Sequence, residues 1–158
     1  MTRSVRLIVA LLVYAAIAAA CGDNPNAPSK VSYAGTWNGT YNVTACTPTG
    51  DFLTANPCPT IGTVGAFQLT LLQSGKTVTG TFTLGSVGFQ ATGNDVASDG
   101  SLTLVGTTNF SGIIITCTFT VTQPSSTTMA GTIGQLWTSP SLSGQLTVSG
   151  TLNTTTRQ

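Results

Sequence analysis

Cysteine carries most of the reactive chemistry available to this chain, because histidine and glutamate are absent and all four acidic residues are aspartate. The commonest general base and the commonest metal ligand are therefore missing. None of the four cysteines, at positions 21, 46, 58 and 117, belongs to a C-x-x-C pair. This spacing favours disulfide or covalent thiol chemistry over a metal site. We expect no enzyme activity, no bound metal and no cofactor.

Cys46 and Cys58 bracket a stretch, residues 47–57, that is rich in threonine and proline. In an oxidising compartment a disulfide between them would stabilise the fold by about 3 kcal/mol in the chain-entropy model. A pair between Cys46 and Cys117 is the alternative. Cys117 lies between Ile115 and Phe119, where a cysteine usually behaves as a small buried apolar residue.

Cys21 follows a short N-terminal segment with Arg3 and Arg6 at its start and the apolar run Leu7–Ala20 after them. The run is shorter than the roughly 20 residues of a spanning helix and has the layout of a signal peptide. Its end, Ile17-Ala18-Ala19-Ala20-Cys21, resembles the bacterial lipobox. The resemblance implies that residues 1–20 are removed and that Cys21 carries acyl chains such as palmitate, which hold the lipoprotein at a membrane. An ordinary secretory signal and an uncleaved anchor are the alternatives.

The lipoprotein resemblance places the chain in the bacterial cell envelope, on the periplasmic side of the outer membrane or at the cell surface. Residues 21–32 are polar, contain Pro25 and Pro28, and are expected to form a flexible tether. Without residues 1–20 the net charge is about −1, with Lys30, Lys76 and Arg157 against the four aspartates. A surface without clustered cations offers no site for nucleic acid.

Residues 33–158 are expected to form one all-β domain. Threonine makes up about a fifth of the chain and alternates with apolar residues, as on strands with one buried face. The pattern predicts eight strands, the first at 36–46 and the last at 142–152, and no helix after the N-terminal segment. Inward positions include Trp37, Tyr41, Val43, Ala45, Phe67, Leu69, Leu71, Val78, Phe82, Phe89, Ala91, Leu104, Ile115, Phe119, Met129, Ile133, Trp137, Leu142 and Leu146. Short turns favour an antiparallel up-and-down meander closed into a barrel, and a β-sandwich is the alternative.

The triplet Gly35-Thr36-Trp37 on the first predicted strand resembles the calycins, the group of lipocalins and avidins. In calycins the indole plugs the closed end of the barrel, and an arginine from the last strand covers it, a role that would fall to Arg157. The group holds small molecules in the barrel mouth, which implies an apolar ligand here with residues 47–57 as a lid. The residues that would line such a cavity are Trp37, Tyr41, Phe67, Phe82, Phe89, Phe119 and Trp137.

Two functional hypotheses follow from these observations. In the first, the anchored barrel is not catalytic and binds a small apolar ligand. In the second, the same aromatic residues fill a core, and the loop between Cys46 and Cys58 contacts an envelope protein or acts as an inhibitor. A transmembrane barrel is disfavoured, because its lumen would be threonine with hardly any charge.

Overall fold

The computed structural model describes residues 31–55 and 57–158; the predicted signal peptide, Cys21 and most of the predicted tether lie outside these residues. The described part consists of eight strands and one short helix. These are β1 (Gly35–Pro48), α1 (Asp51–Ala55), β2 (Val64–Ser74), β3 (Thr77–Leu84), β4 (Val87–Asp95), β5 (Leu102–Phe110), β6 (Ile113–Ser125), β7 (Thr128–Thr138) and β8 (Leu146–Arg157).

Each strand pairs antiparallel with the next, and β8 returns to pair with β1, which closes an eight-stranded up-and-down barrel. The predicted barrel is thus confirmed over the sandwich. Strand β3 shows why the sequence closes this way, since Val78 and Phe82 are buried while Thr77 and Thr79 are exposed. An apolar face that repeats every second residue on all eight strands is buried completely when the sheet curls onto itself.

The barrel has two ends with different connections. At the tether end β1 begins and β8 finishes, and residues 75–76, 96–101 and 126–127 connect the strands. At the loop end the connections are residues 49–63, which include α1, and residues 85–86, 111–112 and 139–145. The predicted tether therefore leaves the barrel at the end opposite the loop between Cys46 and Cys58.

The interior contains two apolar clusters. The main cluster fills the middle and the tether end, and its largest side chains include Trp37, Tyr33, Phe82 and Phe119. The small cluster lies at the loop end and consists of Val43, Phe52, Leu146 and Val148. Tyr41 and Trp137 pack against both clusters and so lie where the two meet.

One predicted inward position on β1 is wrong. Ala45 is exposed, because the pairing of β1 with β8 shifts register between Val43 and Ala45. An irregularity of this kind reverses the faces of the residues that follow it. Cys46 is consequently half-buried against the small cluster.

The predicted limits of the last strand and the absence of a helix are also wrong. Strand β8 begins at Leu146 and continues to Arg157, and Leu142 is partly exposed in the preceding loop. Residues 143 and 145 form backbone hydrogen bonds with residues 49 and 51 across the loop end, which takes this segment away from β7. Helix α1 has five residues, and its Phe52 is buried in the small cluster.

Candidate functional site

The aromatic residues proposed to line a cavity pack against one another in the middle of the barrel. Phe82 stacks on Phe89 with ring centroids 4.6 Å apart and meets Phe119 edge-on at 5.1 Å. Phe67 lies 5.3 Å from Phe119 on the other side. All four side chains are buried, so this phenylalanine cluster occupies the volume that a ligand would need at this level of the barrel.

Inward glycines provide room for aromatic rings. A Cβ atom on Gly106 would lie 2.6 Å from Cε1 of Phe82, and one on Gly65 would lie within 2.6 Å of the Tyr41 ring and hydroxyl. The rings therefore occupy the space that these glycines leave. A sequence with glycine at inward strand positions is compatible with a hollow or a filled barrel, and here the neighbouring aromatic residues decide between them.

Trp37 and Tyr33 close the tether end. Both are fully buried, and the indole Nε1 of Trp37 donates a hydrogen bond of 2.7 Å to the Tyr33 carbonyl oxygen. The Tyr33 hydroxyl donates to the Gly100 carbonyl oxygen at 2.7 Å. Burial, and secondarily the negative charge of Asp99, raises the pKa of Tyr33 to about 12. Arg157 covers the Trp37 ring from the end of β8.

A small polar group lies between the two apolar clusters. Trp137 donates from Nε1 to Oε1 of Gln135 at 3.0 Å. Burial raises the pKa of Tyr41, and the Gln135 side chain partly offsets this effect. Apart from this group and nearer the tether end, where Thr155 pairs with Gly39, the Thr155 hydroxyl is buried and has no hydrogen-bond partner among the described residues. Sequence reasoning missed Gln135, although it continues the inward alternation of β7. It also missed Thr155, which breaks the alternation of β8 because the pairing with β1 shifts register between Gly39 and Tyr41.

The loop end is held by a disulfide and by contacts between two loops. Cys46 and Cys58 form the predicted disulfide, with their Cα atoms 5.8 Å apart, while Cys117 is a buried free thiol. The Asp51 carboxylate accepts a hydrogen bond of 2.7 Å from the Ser143 amide, which lowers the pKa of Asp51. The loop between the cysteines is thus fixed to residues 139–145 and to the small cluster through Phe52.

Exposed apolar side chains concentrate at this fixed loop end. Seven large apolar residues are exposed among the described residues, Leu136 and Leu142 less than the others, and of the seven only Leu72 lies towards the tether end. Leu136 lies on the outside of β7 near the loop end. The remaining five form what we call the apolar rim: Leu53, Ile61, Val64, Phe110 and Leu142.

Charged side chains, unlike the exposed apolar ones, concentrate at the tether end. Of the five charged side chains in the described part of the chain, Lys76, Asp95, Asp99 and Arg157 lie at the tether end. Asp51 alone lies at the loop end, and its carboxylate is engaged by Ser143. The barrel is therefore polarised along its axis, with a charged tether end and a nearly uncharged, apolar loop end.

Two further observations concern metal ligands and helices in residues 31–55 and 57–158. No group of three or more potential metal ligands occurs there, and no helix there has the length and apolar character needed to span a bilayer. No protein-family model, no curated protein and no solved structure matches this chain.

Proposed function

We propose that this chain is a non-catalytic interaction module of the bacterial cell envelope, anchored by lipid at Cys21, whose loop end binds a partner protein. The observation that carries the proposal is the apolar rim on a nearly uncharged barrel end. Large exposed apolar areas on a folded protein commonly mark interaction sites. Isolated exposed apolar residues are ordinary, but here five of the seven form one rim at a single end.

The rim is also suited to binding by its rigidity. The disulfide between Cys46 and Cys58, the buried Phe52 and the hydrogen bond between Asp51 and Ser143 fix the loop that carries Leu53. A surface that is ordered before binding loses less conformational entropy in a complex than a mobile loop does. The packed phenylalanine cluster supports the same view, because a filled barrel acts as a scaffold for its loops.

The anchor and the rim would lie at opposite ends of the molecule. The first described residue, Val31, precedes β1 at the tether end, so a lipid on Cys21 would bring that end nearest to the membrane. The rim would then point away from the lipid surface, towards other envelope components. This arrangement favours a protein partner over the anchoring membrane itself.

The interaction can be tested with a photoreactive amino acid placed at Leu53 or Ile61 in the cells that produce the protein. We expect a discrete cross-linked species from both positions. The matched control is Leu72, which is exposed to 70% at the other end of the barrel, against 61% for Leu53 and 67% for Ile61. The proposal is wrong if Leu72 yields the same cross-linked species or if neither rim position yields any.

The anchor can be tested separately by the mass of the protein recovered from membranes. We expect the mass of a chain that starts at Cys21 plus its acyl chains, and a soluble, unacylated product from Cys21→Ala. A wild-type mass without acyl groups would exclude the anchor and would leave the interaction at the rim to be judged by its own cross-links.

A small apolar ligand is the second candidate, and the polar group around Gln135 favours it. Tyr41 and Trp137, which flank Gln135, are only half-buried. An amphipathic molecule that displaced Phe52 could place its polar head at Gln135. Titration with N-phenyl-1-naphthylamine tests this candidate, with Gln135→Leu as the matched variant. Absence of any fluorescence change in wild-type protein would exclude it.

A further inference from the structure

The hydrogen-bonded ladder between β4 and β5 stops short of the loop end. These strands pair only through Gln90–Gly93 and Leu104–Thr107. Continuing the same register would pair residues 87–89 with residues 108–110, but the ladder stops before them. Each segment is still paired on its other side, residues 87–89 with β3 and residues 108–110 with β6. We call the gap between the two segments the seam.

Both margins of the seam are strand edges. In antiparallel pairing, successive residues direct their N–H and C=O groups to opposite neighbours, so part of the main chain on each margin points into the seam. Such edges readily accept a further strand, and natural barrels usually remove them by closing completely. The seam therefore interrupts the continuous strand pairing that otherwise protects this barrel from strand addition.

A surface depression lies beside the seam. A depression of about 260 Å³ opens there, lined by Thr81, Phe82, Thr83, Gly88, Phe89, Gln90, Thr107 and Thr108. Gly88 has open space where a Cβ atom would lie, so it presents only main chain to an incoming segment. Phe82 and Phe89 also line the depression, and their stacked rings are buried in the core behind it.

Phe110 shows that the inner face of β5 lacks cover at the seam. By alternation it continues the inward row of Leu102, Leu104 and Gly106, yet 54% of its side chain is exposed. A strand placed in the seam would lie beside Phe110 and would direct every second side chain inwards, to the face that carries Phe89. The side chains in between would face outwards, as threonine does on the neighbouring strands.

The absence of charged side chains around the depression limits which molecules can bind in the seam. Every side chain that lines the depression is apolar or neutral, and Asp51 is the one charged residue at this end among the described residues. A charged segment would lose hydration there without gaining an ion pair. Unpaired main-chain groups on two sides require an occupant that has donors and acceptors at strand spacing, which a peptide has and a lipid chain lacks.

We propose that the seam binds an extended, uncharged peptide segment of a partner protein by strand addition, with alternate apolar side chains against Phe89 and Phe110. The inference rests on the proposed function and specifies which kind of segment the partner protein would contribute. Binding of this kind takes its affinity from main-chain hydrogen bonds and its specificity from the pockets for every second side chain.

The experiment selects peptides from a random displayed library against the wild-type barrel and measures the affinity of the selected sequences. We expect uncharged peptides with apolar residues at alternate positions. Phe110→Asp should weaken them at least about tenfold, because a carboxylate would be buried without a partner. The matched control is Leu72→Asp, the same change at an exposed position outside the seam, which should leave the affinity unchanged.

A second measurement uses the wild-type protein alone and does not depend on a variant that folds. Methylation of alternate backbone nitrogens in a selected peptide removes donors and keeps the side chains. We expect affinity to fall by about tenfold, as the loss of one or two hydrogen bonds predicts. Hydrogen exchange should show slower exchange of amides in residues 87–89 and 108–110 when the unmodified peptide is bound.

The proposal is overturned if no uncharged peptide is selected, if methylated peptides bind as tightly, or if protection falls outside the seam. Protection of the seam that grows with protein concentration, without any peptide, would assign it to a second copy of this chain instead. If cross-links from Leu53 and Ile61 persist while the peptide results fail, only the seam proposal is wrong. If those cross-links also fail, the proposed function is wrong with it.

Discussion

Arg157 and Trp37 stand opposite each other in the ladder between β8 and β1, and the Arg157 guanidinium carbon lies 5.6 Å from the centroid of the Trp37 ring. Directly paired residues on neighbouring strands project to the same face of a sheet. Trp37 is fully buried, so Arg157 projects over the same opening and covers the indole at the tether end. The last residues of β8 thus complete the core that the first residues of β1 begin.

The first prediction concerns this contact. Arg157→Ala should lower the free energy of unfolding by about 1 kcal/mol, the usual contribution of a partly exposed cation over an aromatic ring. The measurement is urea denaturation followed by tryptophan fluorescence. Lys76→Ala is the matched control, since Lys76 is an exposed cation at the same end. Equal losses in the two variants would contradict a specific contact between Arg157 and Trp37.

Most of the contacts at the tether end could be predicted from the sequence, because Gly35-Thr36-Trp37 and the even number of strands indicated which residues would meet there. The length of β8 could not be predicted. The predicted strand stopped at Leu152, since the polar run from Asn153 to Arg157 shows no apolar alternation. The structure continues the strand because its backbone pairs with β1, and backbone pairing does not depend on apolar side chains.

The second prediction concerns the phenylalanine cluster. Gly106→Ala should lower the free energy of unfolding by about 1–3 kcal/mol, because the new methyl group would overlap the Phe82 ring and force it to move. Gly88→Ala is the matched control, since a Cβ atom there meets no other atom within 4 Å. Denaturation curves of the two variants provide the comparison. A stability of Gly106→Ala equal to that of Gly88→Ala would mean that the barrel interior has room to spare.

Alternation on the strands predicted the apolar core but not the loop end. The register shift after Val43, which exposes Ala45, depends on how β1 meets β8, a contact between residues far apart in sequence. Phe52 follows a turn-rich segment and gave no periodic signal, yet its ring is buried in the small cluster. Gln135 occupies an inward position, but its amide is stabilised there by Trp137, which only the folded barrel reveals.

The third prediction concerns the disulfide. Replacing Cys46 and Cys58 together by serine should lower the free energy of unfolding by about 3 kcal/mol, as the closure of a loop of this length predicts. Amide hydrogens in residues 49–55 should exchange faster than in the wild type because the loop is no longer closed. Those of β3 and β6 should exchange faster only to the extent that the lower free energy of global unfolding requires. Cys117→Ala is the control that removes a thiol without opening the loop.

The same bond predicts the number of reactive thiols. In denatured but unreduced protein that lacks residues 1–20 and has a lipidated Cys21, alkylation should label Cys117 alone. Labelling of Cys46 or Cys58 in that sample would contradict the disulfide, whatever the stability measurements show.

The fourth prediction concerns stability at high pH. Burial raises the pKa of the Cys117 thiol from 9.0 to about 12, and burial with Asp99 raises that of Tyr33 from 10.0 to about 12. Both groups keep their proton in the folded state at pH values where the unfolded chain has lost it. The folded state then binds more protons than the unfolded state, so stability falls as pH rises. The contribution is complete below pH 9 and is lost progressively between about pH 9 and 12.

Urea denaturation at a series of pH values checks this, with the slope of stability against pH as the readout. Cys117→Ala should flatten the slope from about pH 9 upwards, and Tyr33→Phe should flatten it from about pH 10 upwards, because each removes one group that the folded state keeps protonated. Each variant also changes stability at neutral pH, but that offset does not alter the slope. If both variants keep the wild-type slope, other groups cause the loss of stability at high pH. The burial of Cys117 and Tyr33 would then not explain how the stability of the barrel depends on pH.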